Sequence, residues 1–450
     1  MKQSELNLTG GAVFPLLIRF AIPLFFSNLL QACYNVADMV IVGRFVGSAG
    51  VAAVSNASTL CFIVTSIGIG LAAGGTVLAA KFRGAGNMQA EHNVVGTLFT
   101  IMALAALPVS FCSYTLSRQL FSRLAVPPEA LDQACEYMKI QSFGTIFVFG
   151  YNAVGALLRG FGDSRRPLFF ISIATVINIV LDLLFVGIMK MGTAGAAQAT
   201  VTAQGSALLI ALFFLKKQGF FAGYRPQNFL PDPIQTVGIL KVGIPSMLQL
   251  VVINIAFLLV GGMFNQYGVT AAAAAGIGLK ISTLAGMPCW AVGQAVTAMT
   301  AQNLGAGKIA RTAAAIRKGI LLSLVTTGST ILIIQFFAES IIGYFDSDPE
   351  VIRSGVLYLR IFSSWSGLAY AVMYTCNAFA TGTGAPSLAM FNAILEALLL
   401  RLPLCWFFGT HLEMGFTGIC WGMALSTLPP AVIGAAYCRQ GKWRSQSENY

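Results

Sequence analysis

The chain has 450 residues, of which 56% are hydrophobic and only 10% charged, with a mean hydropathy of +0.77. A soluble domain carries roughly 25% charged residues, so the composition excludes an ordinary water-facing surface and implies a protein dissolved in a bilayer. The net charge of +11 does not point to nucleic acid, because Lys and Arg lie in short loops between apolar runs rather than on one exposed basic face.

Met1 to Gly11 is polar and lacks the charged, apolar, then small order of a cleaved leader, so the first apolar run is expected to be a retained span. A spanning helix needs about 20 mostly apolar residues. Twelve such runs follow, at 14–42, 51–80, 93–118, 134–158, 167–189 and 193–215, then 236–264, 272–300, 313–338, 351–380, 386–410 and 414–438. The fold expected is an all-α membrane protein of twelve transmembrane helices in two pseudo-symmetric six-helix bundles. Residues 1–216 would form the first half, 217–235 a cytoplasmic linker marked by Pro226, Pro231 and Pro233, and 236–450 the second half.

Most of the 27 Lys and Arg residues fall on one side of these spans. They include Lys81, Arg83, Arg159, Arg165, Arg166, Lys216, Lys217, Lys308, Arg311, Arg317 and Lys318. The positive-inside rule then places both termini in the cytoplasm of a multi-pass plasma-membrane protein. The halves resemble each other in order and spacing. Arg19 to Pro23 matches Lys241 to Pro245, Gly84 to Gly86 matches Gly305 to Gly307, and Gly162 to Pro167 matches Gly382 to Pro386. An even number of spans per half gives both halves the same topology, with a pseudo-two-fold axis along the membrane normal.

The nine Cys form no CxxC pair and only His92 and His411 are present, so neither a metal cluster nor a redox motif is indicated. No GxxxxGK[ST], HExxH or GxSxG occurs, which argues against ATP-driven chemistry, proteolysis or esterolysis by this chain. Gly70 and Gly74 give a GxxxG spacing, read as close helix packing.

Chemistry should rest on polar groups that do not belong in hydrocarbon. Asn28, Gln31, Asn35 and Asp38 share one face of the first helix. The amides alone would serve equally well as interhelical hydrogen bonds, whereas a carboxylate is a costly adhesive. Asn178 and Asp182, four apart in the fifth helix, fall at a depth similar to Asp38. Two acids sharing a cavity there could take up a proton or a cation. In the second half, Asn392, Glu396 and Arg401 lie along the eleventh helix and Lys280 in the eighth. Arg401 falls level with Asp182 when Pro386 is laid on Pro167, and a Glu396 pair with Arg401 or Lys280 is the structural alternative to a functional role. Pro23 and Pro245 sit at equivalent points of helices 1 and 7 and are expected to bend them. A simple start-of-helix proline is the alternative.

Several segments together resemble the multidrug and toxic compound extrusion (MATE) family along almost the whole chain. They are Val36 to Gly43, Ala80 to Gly86, Ala301 to Lys308, Asn178 to Asp182 and Gly195 to Thr200. The resemblance implies a secondary antiporter, not an enzyme and without a cofactor, that expels cationic or amphipathic small molecules in exchange for H⁺ or Na⁺ by alternating access. It implies a proton or cation site at Asp38, Asn178, Asp182 and Thr200, with no metal beyond Na⁺ at Asp38 and Asp182. Substrate-cavity candidates are Gln31, Asn35, Gln249, Asn254, Lys280, Glu396 and Arg401. Helix 7 departs from one branch of the family: it carries Gln249 and Asn254 but no acid, so a second-half cation site of that branch is not expected. The partners implied are the small-molecule substrate and the lipid bilayer, with no nucleic acid and a monomeric state. A flippase of lipid-linked saccharides, for which Lys280 and Arg401 would supply cavity charge, is the alternative within the same superfamily. A membrane-embedded enzyme or assembly factor is the alternative outside it.

Overall fold

In hydrocarbon a backbone must satisfy its own polar groups, and a helix does so within one segment. The apolar runs accordingly form helices in the computed structural model, which describes residues 5–123 and 126–447. The first seven are α1 (Val13–Phe45), α2 (Ser48–Ala85), α3 (Met88–Arg123), α4 (Pro128–Gly160), α5 (Arg165–Asp182), α6 (Gly192–Lys217) and α7 (Pro233–Asn265). They are followed by α8 (Val269–Gly305), α9 (Ile309–Phe345), α10 (Pro349–Phe362), α11 (Trp365–Gly382), α12 (Pro386–Ile394), α13 (Leu402–Trp406), α14 (Gly415–Leu425) and α15 (Leu428–Gln440). Among the described residues, eleven helical stretches are long and apolar enough to cross a membrane. α10 and α11 pass the same test together and meet at a bend of 50° at Ser363 and Ser364, giving twelve spans when the pair is counted as one. Sequence periodicity gave this span as one run, because an apolar stretch does not announce a break at two serines.

The internal repeat is written into the turns. Gly47 and Gly268, ahead of α2 and α8, have φ of 91° and 93°. Gly86 and Gly307 have φ of 71° and 69°, Gly162 and Gly384 84° and 86°, and Gly192 and Gly415 62° and 59°. A side chain at such φ is strained, so glycine marks each turn. Even the non-glycine exceptions are paired: Lys190 at 54° and Glu413 at 53°.

Spans five and eleven share a second feature. After Asp182 the chain widens into a π-helix, Leu183–Ile188, and its counterpart before the matching turn is Phe407–His411. Span eleven carries one more π segment, Leu395–Arg401, that span five lacks. Each π turn accommodates extra chain, so register drifts along the span. Counted back from the Lys190 and Glu413 turn, Asp182 is level with Cys405. The alignment of Arg401 with Asp182, drawn from the prolines at the other end, does not survive the π insertion.

The chain groups into two compact units that do not follow chain order. Unit 1 holds the residues up to Leu6 and Phe26–Met247; unit 2 holds Asn7–Phe25 and the chain from Leu248 onward. Each unit therefore takes the first part of one proline-containing helix, and the division falls just beyond Pro23 in α1 and just beyond Pro245 in α7. Both prolines lie inside continuous helices, not at their starts.

In unit 1, α4 packs against α2, α3 and α6 around Leu98, Phe149, Leu157 and Phe170. The seam of Gly70 and Gly74 meets α7: a Cβ at Gly70 would lie 2.2 Å from Cα of Met247, and one at Gly74 2.2 Å from the carbonyl oxygen of Ile239. The segment between α6 and α7 is docked rather than loose. Asn228 Nδ2 donates to Asn93 Oδ1 at 2.7 Å, Asn93 Nδ2 donates to Asp232 Oδ2 at 3.2 Å, and the Tyr224 ring lies against His92, tilted by 31° with ring centres 4.0 Å apart. Glu5 pairs with Arg83 at 2.5 Å. In unit 2, α7, α8, α9, α10 and α14 contribute to a core that includes Phe264, Ile281, Ile334, Tyr358, Leu359 and Met423. There the Arg311 guanidinium donates to the carbonyls of Leu8, Gly10 and Gly11.

Candidate cation site

Asp38, Asn178, Asp182 and Thr200, the four residues expected to hold a cation, are brought by α1, α5 and α6 to one place in unit 1. Asp163 begins α5 by accepting the N–H of Arg165 and Arg166 at 3.0 and 3.1 Å. The helix then runs to Asp182, its last residue before the π segment. Asn178 and Asp182 are fully buried, and Asp38 is 6% exposed. The carboxyls of Asp38 and Asp182 lie close enough to interact directly.

Their hydrogen bonding is incomplete. Oδ1 of Asp38, both carboxyl oxygens of Asp182, both side-chain polar atoms of Asn178 and Oγ1 of Thr200 are buried and lack a partner among the described residues. An ionised carboxylate only accepts hydrogen bonds, so two of them cannot satisfy one another. Buried charges are costly unless paired, yet neither acid takes part in the ion pairs formed among the described residues. A site with five uncommitted oxygens and, among the described residues, no positive charge paired with it is suited to a proton or a small hard cation.

The site has members that the sequence reading left out. Tyr34, 5% exposed, lies beside Thr200 and Gln204 as well as both acids. Tyr137 of α4 and Cys61 of α2 stand near Asp38. Tyr34 was legible, since it is four residues before Asp38 and so on the same helical face. Gln204 likewise follows Thr200 by four. Of the remaining helix 1 seam, Asn28 is half-buried while Gln31 and Asn35 are exposed.

The second-half candidates do not form an equivalent site. Glu396 and Arg401 are each 2% exposed and form a direct ion pair with each other. Arg401 also lies over the Phe257 ring, 4.8 Å from its centre. Lys280 is exposed, and among the described residues the ion-pair partner of Glu396 is Arg401. Gln249 and Asn254 are half-buried on α7, where Asn254 Nδ2 donates to the carbonyl of Leu250 at 2.7 Å.

The chain matches the family model described as MatE twice, over residues 23–184 and 245–407. Each match begins at one of the paired prolines. It is 28% identical over 442 residues to the probable multidrug resistance protein YpnP of Bacillus subtilis, covering 98% of both chains. It is 30% identical over 373 residues to the probable multidrug resistance protein YoeA of the same organism, covering 81% of this chain and 80% of that one. Its fold matches that of a crystallised chain described as the outward-facing conformation of a multidrug resistance MATE family transporter, with TM-score 0.92, 21% identity and 98% coverage of each. The chain belongs to the MATE family and is a multi-pass membrane transporter, not an enzyme.

Proposed function

We propose that the chain is a secondary antiporter that exports cationic or amphipathic small molecules in exchange for H⁺ or Na⁺. The observation that carries this reading is the pair of buried acids, Asp38 and Asp182, with oxygens uncommitted and no basic partner among the described residues. Asn178, Thr200, Tyr34 and Gln204 would complete the coordination or pass the proton. The naming of both Bacillus relatives as probable multidrug resistance proteins supports the export of foreign small molecules.

Exchange follows from linkage. A cation on the two acids favours one arrangement of α1 and substrate favours another, so each weakens the binding of the other. Pro23 and Pro245 remove one backbone hydrogen bond each from α1 and α7, at the places where the helices pass from one compact unit to the other. They are the hinges of this scheme, and the six-helix halves are its moving bodies. Gln31 and Asn35 in unit 1 and Lys280 in unit 2 are exposed polar groups within spans, costly against lipid, and so suit contact with substrate, as do the half-buried Gln249 and Asn254 of unit 2. The flippase reading loses one of its two cavity cations, because Arg401 is committed to Glu396. The termini are assigned to the cytoplasm of the plasma membrane and the working unit to a monomer.

The test uses purified protein in liposomes loaded with a fluorescent cationic dye. Export driven by an imposed proton or Na⁺ gradient is the expected result, and the effective gradient identifies the ion. Dye movement that ignores both gradients would overturn the antiport reading.

A further inference from the structure

Glu396 is a buried acid that the proposed cycle does not use. It lies at the start of the π segment of span eleven that has no counterpart in span five. In an α-helix, residues five apart point to different faces, at about 100° per residue. The i→i+5 bonding of a π turn draws them together. Leu395–Arg401 is such a segment, and it lets Arg401 donate directly to Glu396. Tyr370 faces Glu396, while Tyr358 and Cys405 face Arg401, with Cys420 beside Tyr358; none of these four is basic. One turn earlier, Asn392 Nδ2 donates to Asn377 Oδ1 at 2.7 Å, and its own Oδ1 is buried without a partner. Arg401 Nε is buried without a partner as well. The guanidinium is thus the only positive charge seen to pair with this acid among the described residues.

We infer that Arg401 is a built-in counter-cation occupying a second carboxylate site at Glu396, and that removing it converts Glu396 into a binding site for an exchangeable small cation, a proton or an alkali ion. The physical reason is that a buried carboxylate stripped of its partner does not stay bare; it binds a proton or another cation. The inference concerns unit 2 alone and does not depend on what Asp38 and Asp182 do. Arg401 would then be the residue that keeps the second half from exchanging ions.

The test is labelling of the full-length protein with dicyclohexylcarbodiimide, which reacts with protonated carboxyls in apolar surroundings, mapped by peptide mass spectrometry. In the unsubstituted protein Glu396 is expected to stay unlabelled from mildly acidic to mildly alkaline pH. Arg401→Gln should label at Glu396, with protection by raised pH, and by added Na⁺ if the site accepts alkali ions. Arg401→Lys, which keeps a positive charge, should stay unlabelled. Labelling of Glu396 in the unsubstituted protein would overturn the inference, as would its absence in Arg401→Gln that elutes as folded protein. If Arg401→Gln is not recovered folded, the unsubstituted protein alone decides. Labelling at Asp38 or Asp182 in the same digest reports the unit 1 site separately, so the two readings fail independently.

Discussion

Asp38 of α1 and Asp182 at the end of α5 stand near each other inside unit 1, and neither oxygen of Asp182 has a hydrogen-bond partner among the described residues. Two acceptors without a donor or a basic neighbour are stable together only with a proton or cation between them. Asp182→Asn supplies an amide donor to Asp38 and removes one charge. The substitution is expected to abolish gradient-driven efflux while thermal stability holds or rises, by about 1 kcal/mol for the gained hydrogen bond. Dye efflux from liposomes and thermal unfolding of the same preparation check both parts. A fall in stability matching the loss of activity would reassign Asp182 to structure.

Gly74 fits α2 to α7 with no room to spare. A Cβ there would meet the Ile239 carbonyl at 2.2 Å. Gly74→Ala should destabilise the protein by roughly 1–3 kcal/mol, the usual cost of overpacking. Gly261, on the same helix α7, has nothing within 4 Å of its Cβ position. Gly261→Ala should be neutral or stabilising by up to about 1 kcal/mol through helix propensity. Unfolding midpoints of the two variants side by side test the contrast.

Gly96 holds the connection between α6 and α7 against α3. A Cβ at this position would lie 1.8 Å from the carbonyl oxygen of Asn228. Gly96→Ala should lift that connection and break the Asn93, Asn228 and Asp232 hydrogen bonds. Limited proteolysis between Gln218 and Asp232 should then be faster, with little change in the helical circular dichroism. Unchanged cleavage would mean that the segment is held elsewhere.

Arg401→Ala leaves Glu396 buried without its partner and should cost roughly 3–5 kcal/mol. Replacing both together, Glu396→Gln with Arg401→Met, removes both charges and should recover most of that loss. A double variant as unstable as the single one would show that packing of the guanidinium over Phe257, rather than charge, dominates.

The spans and the repeat were legible because their causes are local. Length and apolarity mark a span, and glycine marks each positive-φ turn, so Gly86 and Gly307 could be paired by eye. The candidate site was legible for a related reason: Asp38, Asn178 and Asp182 are acids and an amide at helical spacing within apolar runs. What escaped depends on non-local structure. The π segment at Leu395–Arg401 leaves no compositional mark, yet it moves Arg401 out of register with Asp182; the pairing of Arg401 with Glu396 was one of the alternatives the sequence offered, and the structure forms it. The break at Ser363 and Ser364 is hidden for the same reason. The passage of α1 and α7 from one compact unit to the other depends on which helices their first turns meet. Tyr34 and Gln204 were overlooked although their spacing from Asp38 and Thr200 placed them on the right faces, because aromatic and amide residues are common in helix packing.

The most direct measurement of the central claim is the release of protons or Na⁺ when substrate is added to the detergent-solubilised protein, read with a pH- or Na⁺-sensitive dye. The account predicts release from the unsubstituted protein in step with substrate binding. It predicts none from Asp38→Asn/Asp182→Asn, which should still bind substrate. Undiminished release from that double variant would contradict the assignment of cation coupling to these two acids.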